Sequence, residues 1–365
     1  MSETGRTEPQ LGGNPYAYAG SHVPEAAGIQ RHEIEFTASA GEYFRIWIVN
    51  LALTIVTLGI YSAWAKVRKK RYFYGHTLID GDSFDYRAQP LSILKGRIIA
   101  VVLFGAYSLA GQFSPVLAGS FTLVLVFAMP WLVVRSLAFN AHNSAYRNIR
   151  FSFRGRYGEM LKLLIGGGLL VMLSLGIGYP YIKARMIAFA ARYHAYGTTS
   201  FALREITRPL YGIYIKALGL LIVGSAGAAI AAGSLGVFTN MSSGMSAGFP
   251  VFVIAIYAVY LMVYSYLNAR TTNATWNALE IGPLSFESTL GARQLAGIYL
   301  VNMVAILFTL GLATPWAVVR TMRYRAQHTT ALAAGGLASF VAAEANNLNA
   351  TGEEVGEMFD VDFSL

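Results

Sequence analysis

Five long stretches of the chain contain no Asp, Glu, Lys or Arg. They run for 20 residues between Arg45 and Lys66, 37 between Arg97 and Arg135, 20 between Lys162 and Lys183, 53 between Lys216 and Arg270, and 26 between Arg293 and Arg320. A membrane-spanning helix needs about 20 apolar residues, so the second and fourth stretches hold two passes each and the others at most one. The turns of the two pairs are expected near Gln112 to Pro115 and around Asn240 to Gly248. Composition agrees. Charged residues make up 13% of the 365, about half the ~25% usual for a soluble domain, while hydrophobic residues reach 55%. The chain reads as an integral membrane protein.

The ends read differently. Residues 1–35 are polar and rich in Gly, Pro and Ala, with no basic and apolar succession of a signal peptide, and are expected to be a disordered tail. After Arg325 no Lys or Arg remains, and Glu344, Glu353, Glu354, Glu357, Asp360 and Asp362 accumulate, so 326–365 reads as an acidic tail. The membrane domain is then 36–325. With no cysteine in the chain, disulfides, thiolate metal sites and cysteine nucleophiles are excluded.

An internal repeat stands at the ends of the uncharged stretches. An aromatic residue is followed four positions later by Arg in Trp64/Arg68, Trp131/Arg135, Tyr181/Arg185, Tyr266/Arg270 and Trp316/Arg320. Sixteen residues beyond the Arg comes Phe84, Phe151, Phe201 or Phe286; the fifth copy has Phe340, four residues late. Pro130, Pro180 and Pro315 precede the aromatic in three copies. Residues i and i+4 share a helix face, which puts the aromatic at headgroup depth and lets the Arg reach phosphate. The unit reads as a short cytoplasmic interfacial helix whose ten residues anchor to lipid, and Pro suits its first turn. Ordinary basic ends of transmembrane helices have the same pattern. A short extended piece follows, and Asp80-Gly81 is a hairpin signal.

A second repeat links the three single stretches. Thr57-Leu58-Gly59, Ser174-Leu175-Gly176 and Thr309-Leu310-Gly311 lie seven residues before their aromatics. Fifteen residues before the Thr or Ser stand Glu42, Glu159 and Gln294, and seven residues before it stand Asn50, Gly167 and Asn302. The stretch Gly41-Glu42-Tyr43-Phe44, Asn50, Thr57-Leu58-Gly59-Ile60-Tyr61, Trp64 and Arg68 resembles the YjgN-like family of bacterial inner-membrane proteins, over about Phe36 to Arg325. Gly167 and Gln294 depart from the pattern. The resemblance implies a multi-pass protein of the bacterial inner membrane and carries no activity with it.

Charge decides the expected topology. If all seven apolar segments cross, the 28 Lys and Arg divide 17 to 11 between the two faces; if the three single stretches enter and return on one face, the division is 28 to 0. The positive-inside rule favours the second. The fold class expected is therefore all-α: a polytopic helical protein with four spanning helices and three re-entrant or half-membrane elements, with seven spans as the alternative.

Chemistry is sparse. The six histidines have no metal-ligand spacing, no phosphate-cradling loop occurs, and Gly166-Gly167-Gly168 and the small-residue run Gly224 to Gly236 suit close helix packing. No nucleophile elbow is present, so no enzyme activity, cofactor or metal is expected. A cluster of His76, His142, His194 and His328, each seven to nine residues after a repeat Arg, is a minor candidate for metal or pH sensing. The intramembrane polar candidates are Glu42, Asn50, Glu159 and Asn302, which suit either a solute pathway or helix packing. Two functions follow: a small-solute transporter or channel-like protein, or a non-transporting scaffold that organises anionic lipid or partners through its cationic face. The partners expected are anionic headgroups, with no nucleic acid, and the oligomeric state is open.

Overall fold

The computed structural model describes residues 28–234 and 248–360. The chain forms five units that each run strand, helix, helix, strand. The first is β1 (Ile29–Phe36), α1 (Ala40–Val56), α2 (Ser62–Gly75) and β2 (Thr77–Ile79); the second is β3 (Asp82–Tyr86), α3 (Pro90–Phe113), α4 (Pro115–His142) and β4 (Ser144–Tyr146). In the third, β5 (Ile149–Phe153) leads into α5 (Tyr157–Leu161), a π-helical turn at Lys162–Gly166 and α6 (Gly167–Leu173), and α7 (Tyr179–Tyr193) returns to β6 (His194–Tyr196). The fourth is β7 (Thr199–Leu203), α8 (Thr207–Ser234), α9 (Gly248–Trp276) and β8 (Leu279–Ile281). The fifth is β9 (Leu284–Ser288), α10 (Ala292–Phe308), α11 (Thr314–Gln327) and β10 (Thr329–Ala334), and α12 (Leu337–Asp360) follows it.

The all-α expectation is overturned. The ten strands close into an antiparallel barrel, in which β1 from the start of the chain pairs with β10 from its end as well as with β2. Strands of three and five residues are too short to show alternation in a sequence, and a hairpin of that size is not stable alone. Closure gives every strand two partners and leaves no open edge. Residues 29–35, read as the end of a tail, are strand; residues 329–360, read as a second tail, supply β10 and α12.

Each unit is clasped at its base by one backbone bond from the residue after its first strand to the residue before its last. The five are Thr37 N–H to His76 (3.0 Å), Arg87 to Asn143 (2.8 Å), Arg154 to Tyr193 (2.9 Å), Arg204 to Ala278 (2.9 Å) and Thr289 to His328 (3.0 Å). All five helical hairpins therefore leave the barrel and return to it. The helices also close a circle, because α11 packs on α1.

Four helices, α3, α4, α8 and α9, are long and apolar enough to cross a membrane. The turn between α3 and α4 is at Ser114, as expected; the turn expected at Asn240 to Gly248 lies outside the described residues except for Gly248, where α9 begins. The other three hairpins, α1/α2, α5–α6/α7 and α10/α11, are short. Their tips are the Thr/Ser-Leu-Gly steps. Leu58, Leu175 and Leu310 have φ of 49°, 51° and 49°, and Gly59, Gly176 and Gly311 have φ of 92°, 91° and 94°. The glycine N–H bonds back to Thr54 (2.7 Å), Val171 (2.8 Å) or Ile306 (2.8 Å), a Schellman closure. The Thr or Ser hydroxyl accepts the N–H four residues on, at Tyr61, Gly178 or Ala313 (2.9, 2.8 and 2.9 Å). Backbone polar groups left bare in lipid would each cost several kcal/mol, and these bonds satisfy the N–H groups of the tips internally. The three leucines are 95%, 93% and 95% exposed.

The short interfacial helices are also corrected. Separate helices carry the aromatic/Arg pair only in α2, α7 and α11, each the returning leg of a hairpin; Trp131/Arg135 and Tyr266/Arg270 lie within the continuous α4 and α9. Pro180 and Pro315 open α7 and α11, whereas Pro130 is internal to α4.

Candidate functional site

The polar residues singled out in the sequence meet tyrosines at the hairpin bases. The Tyr72 hydroxyl is 3.1 Å from Glu42 Oε2, Tyr193 donates to Glu159 Oε1 at 2.6 Å, and Tyr324 donates to Gln294 Oε1 at 2.8 Å. Each bond joins the first turn of the outgoing leg to the last part of the returning one, so the Glu-to-Gln change keeps the contact.

Asn302 is 6% exposed, and its Nδ2 donates to the Ala317 carbonyl (3.2 Å) and the Thr321 hydroxyl (3.0 Å) on α11. Asn50 is 7% exposed in the same place on α1. At the third position, Gly167, an added Cβ would lie 3.0 Å from Ile182, the residue corresponding to Ala317. A larger residue on one leg is thus matched by a smaller one on the other, Asn with Ala and Gly with Ile. Gly224 on α8 is similarly pressed against Val259 on α9, where a Cβ would lie at 2.8 Å.

Of the anchor pairs, Arg135, Arg185 and Arg320 stack over Trp131, Tyr181 and Trp316, with the guanidinium carbon 6.0, 5.1 and 5.1 Å from the ring centre. No such stacking joins Trp64 to Arg68 or Tyr266 to Arg270. Arg320 also has a buried Nη1 without a protein partner. The Arg320 side chain lines a groove of about 730 Å³ between α10, α11 and the start of α1, together with the 39–41 segment and Arg323, whose Nη2 donates to the Ala38 carbonyl (2.8 Å). The Ser39 side chain makes no capping bond to α1, so the first-turn amides add their positive end to the two guanidiniums.

The histidines do not cluster. Nδ1 of His76, His194 and His328 faces the carbonyl four residues earlier, at 2.7, 2.6 and 2.8 Å, and so donates its proton there. Among the described residues no three His, Asp or Glu stand close enough to hold a metal.

The barrel lumen is a site that sequence reasoning missed. Two tiers of five residues, one from each unit, point into it. One tier is Ile34, Phe84, Phe151, Phe201 and Phe286; the other is Ile79, Tyr146, Tyr196, Ile281 and Ala331. Four of the phenylalanines were visible as a repeat. The fifth place belongs to Ile34, which comes from the opposite end of the chain, while Phe340 reaches the same lumen from α12 instead of from a strand. The tyrosine hydroxyls are turned away into the wall, Tyr146 donating to the Ile79 carbonyl (2.7 Å) and Tyr196 to the Tyr146 carbonyl (3.0 Å). Burial pushes Tyr146 up to about 12 and raises Tyr196 as well, so both stay protonated. The space left is about 330 Å³ and wholly apolar.

One mouth of the lumen is covered by α12. Leu337, Phe340, Val341 and Glu344 form one stripe of that helix, and all four are buried. Glu344, 1% exposed, accepts the backbone N–H of Thr198 and Thr199 and the Thr199 hydroxyl (2.8 Å) at the β6–β7 turn. Burial opposes its ionisation, but these donors outweigh it and hold the carboxyl below its ordinary 4.5. Gly197, at φ 58°, makes the turn possible: a Cβ there would fall 2.5 Å from the Glu344 carboxylate.

Comparison with known proteins places this geometry in a family. The chain is similar to the inner membrane protein YjgN of Salmonella typhimurium, at 23% identity over 350 residues, covering 82% of this chain and 88% of the relative. YjgN of Escherichia coli O157:H7 is 24% identical over 51% of this chain and 45% of its own, and that of Escherichia coli K12 is 29% identical over 34% and 32%. No solved structure matches. The family model described as bacterial protein of unknown function, DUF898, matches residues 31–358, from within β1 to the end of α12. This chain is an inner-membrane protein and belongs to the DUF898 family.

Proposed function

We propose that this chain is a non-enzymatic, non-transporting membrane protein that gathers anionic lipid around its barrel-side base. In this reading the four long helices cross the bilayer and the three short hairpins dip in and return. The observation that carries it is the groove lined by Arg320, Arg323, Trp316 and the start of α1, whose first turn has no side-chain cap. A buried guanidinium nitrogen without a protein partner calls for an anion, and phosphate is the anion present at that depth. Among the described residues none of the hairpin tips carries Lys or Arg, which favours a cytoplasmic barrel.

The transport reading has less support. Glu42 and Glu159 are bonded to tyrosines and Asn302 Nδ2 to α11, leaving the Oδ1 atoms of Asn50 and Asn302 as the only buried unpartnered atoms of the four, and the axial lumen offers a polar solute no partner.

The test is lipid retention by the full-length protein, extracted from vesicles of phosphatidylethanolamine and phosphatidylglycerol and weighed by native mass spectrometry. Arg320→Gln with Arg323→Gln is expected to lower bound phosphatidylglycerol about tenfold and leave phosphatidylethanolamine unchanged. Equal retention by the variant and the parent would reject the reading.

A further inference from the structure

We infer that the barrel lumen is a binding site for a long acyl chain. The inference is independent of the headgroup groove, which lies outside the barrel between α1, α10 and α11.

The lumen keeps about 330 Å³ of space even with α12 seated in its mouth, a volume at the lower end of the range for small-molecule pockets, roughly 300–1,000 Å³. Protein interiors rarely leave voids much larger than a water molecule. Water does not settle this one, because a buried water needs two to four polar partners and the tyrosine hydroxyls that could supply them are committed to the Ile79 and Tyr146 carbonyls. The occupant must therefore be apolar, and narrow enough to stand within a ring of five side chains.

The way in is from the helix side. A second chamber of about 410 Å³ shares Thr77, Phe84 and Phe151 with the lumen and extends among the helix bases to Asn140, Ser144 and His194. An amphiphile fits the pair: its chain fills the lumen, and its polar end lies on the polar side of the chamber, where Lys70 bonds Asn140 Oδ1 (2.6 Å) and the His194 imidazole uses only Nδ1 within the protein. At the far end Phe340 and Val341 stop the chain, with α12 held by Glu344. The chain belongs either to a free fatty acid or to a phospholipid.

Two probes distinguish the sources: a fatty acid with a photoreactive diazirine near its methyl end, and phosphatidylglycerol carrying the same acyl group. Full-length protein in phosphatidylethanolamine vesicles is irradiated with each, digested, and the labelled peptides are mapped. Label is expected in the strand peptides containing Phe151, Phe201 and Phe286, displaced by excess unlabelled chain. Ala331→Phe fills the lumen and is expected to reduce that label at least fivefold without changing label on α3, α4, α8 or α9. Leu284→Phe, on β9 two residues before Phe286, the strand partner of Ala331, is the second filling variant should the first not fold, and Ile281→Ala, which enlarges the space, is expected to retain the label. Strand labelling by one probe alone identifies the source and supports the site. Label confined to the lipid-facing helices, or strand label that persists in a folded filling variant, overturns it.

Discussion

The short and long hairpins are versions of one element cut to different heights. Both are rooted at the barrel by the same backbone clasp, and both carry the aromatic/Arg pair on the returning leg at the same distance from the strand that follows. Above that level they diverge. From Trp131 back to Pro115 there are enough residues for roughly 24 Å of helix, close to a full hydrocarbon crossing, whereas from Trp64 back to Leu58 there are roughly 9 Å. The long pairs rely on length, and α3 and α4 turn over at a Ser-Pro step. In the proposed arrangement the short ones turn inside lipid, at Thr/Ser-Leu-Gly steps closed by the glycine N–H. A positive φ at Leu costs roughly 1–2 kcal/mol; the leucine side chain, offered almost entirely to the surroundings, suits a lipid environment and no aqueous one.

The largest effect is expected where the short hairpins differ among themselves. Asn302→Gly removes two bonds and the packing against Ala317, and should cost about 3 kcal/mol in thermal or denaturant unfolding. Adding Ala317→Ile, which copies the Gly167/Ile182 arrangement into α10 and α11, should recover at least half of it. If the double variant is no better than the single one, Asn302 has a role other than matching its neighbour.

Next comes the contrast between the barrel and its cover. Glu344→Ala should weaken α12 docking by about 1–3 kcal/mol, seen as faster hydrogen exchange in α12 with the strands unchanged. Because the carboxyl is held below 4.5 in the folded protein, its contribution is complete above that ordinary value and is lost as pH falls through the lower folded one. Acid should therefore loosen α12 in the parent and have little further effect in the variant.

The smallest effect is at a tip. Thr309→Val keeps the shape and loses the hydroxyl that accepts the Ala313 N–H, for about 1 kcal/mol. Thr57→Val should behave alike. The same change at Ser120 on α4, whose hydroxyl only bonds back to the Val116 carbonyl (3.0 Å), should fall well below it.

What could be read in the sequence follows the same division. The hairpins were legible because charge is excluded from their apolar parts and because Trp64/Arg68 and its counterparts recur in phase. The barrel was not. Asp80-Gly81 announces one turn, but the corresponding turns are Arg147-Asn148, Gly197-Thr198 and Gly282-Pro283, with no shared signal, and Arg147 and Asn148 take positive φ without a glycine. The fifth strand pair joins residues about 300 positions apart, so no local pattern contains it. Glu344 looked like one acidic residue among several; only the fold shows it buried against Thr198 and Thr199. Glu42, Glu159, Asn50 and Asn302 stood out by their place in the repeat, but the partners of Glu42, Glu159 and Asn302, namely Tyr72, Tyr193 and α11, depend on hairpin closure.

The central claim is that all five hairpins are rooted on one side of the membrane. The parent chain has no cysteine, so Ser114→Cys, at the α3–α4 tip, and Ser200→Cys, in β7 of the barrel, can each be labelled with an impermeant maleimide in intact spheroplasts. The account predicts that Ser114→Cys reacts from outside and that Ser200→Cys reacts only after the membrane is opened. Reaction of both from outside would put the two ends of the third unit on opposite faces and contradict it.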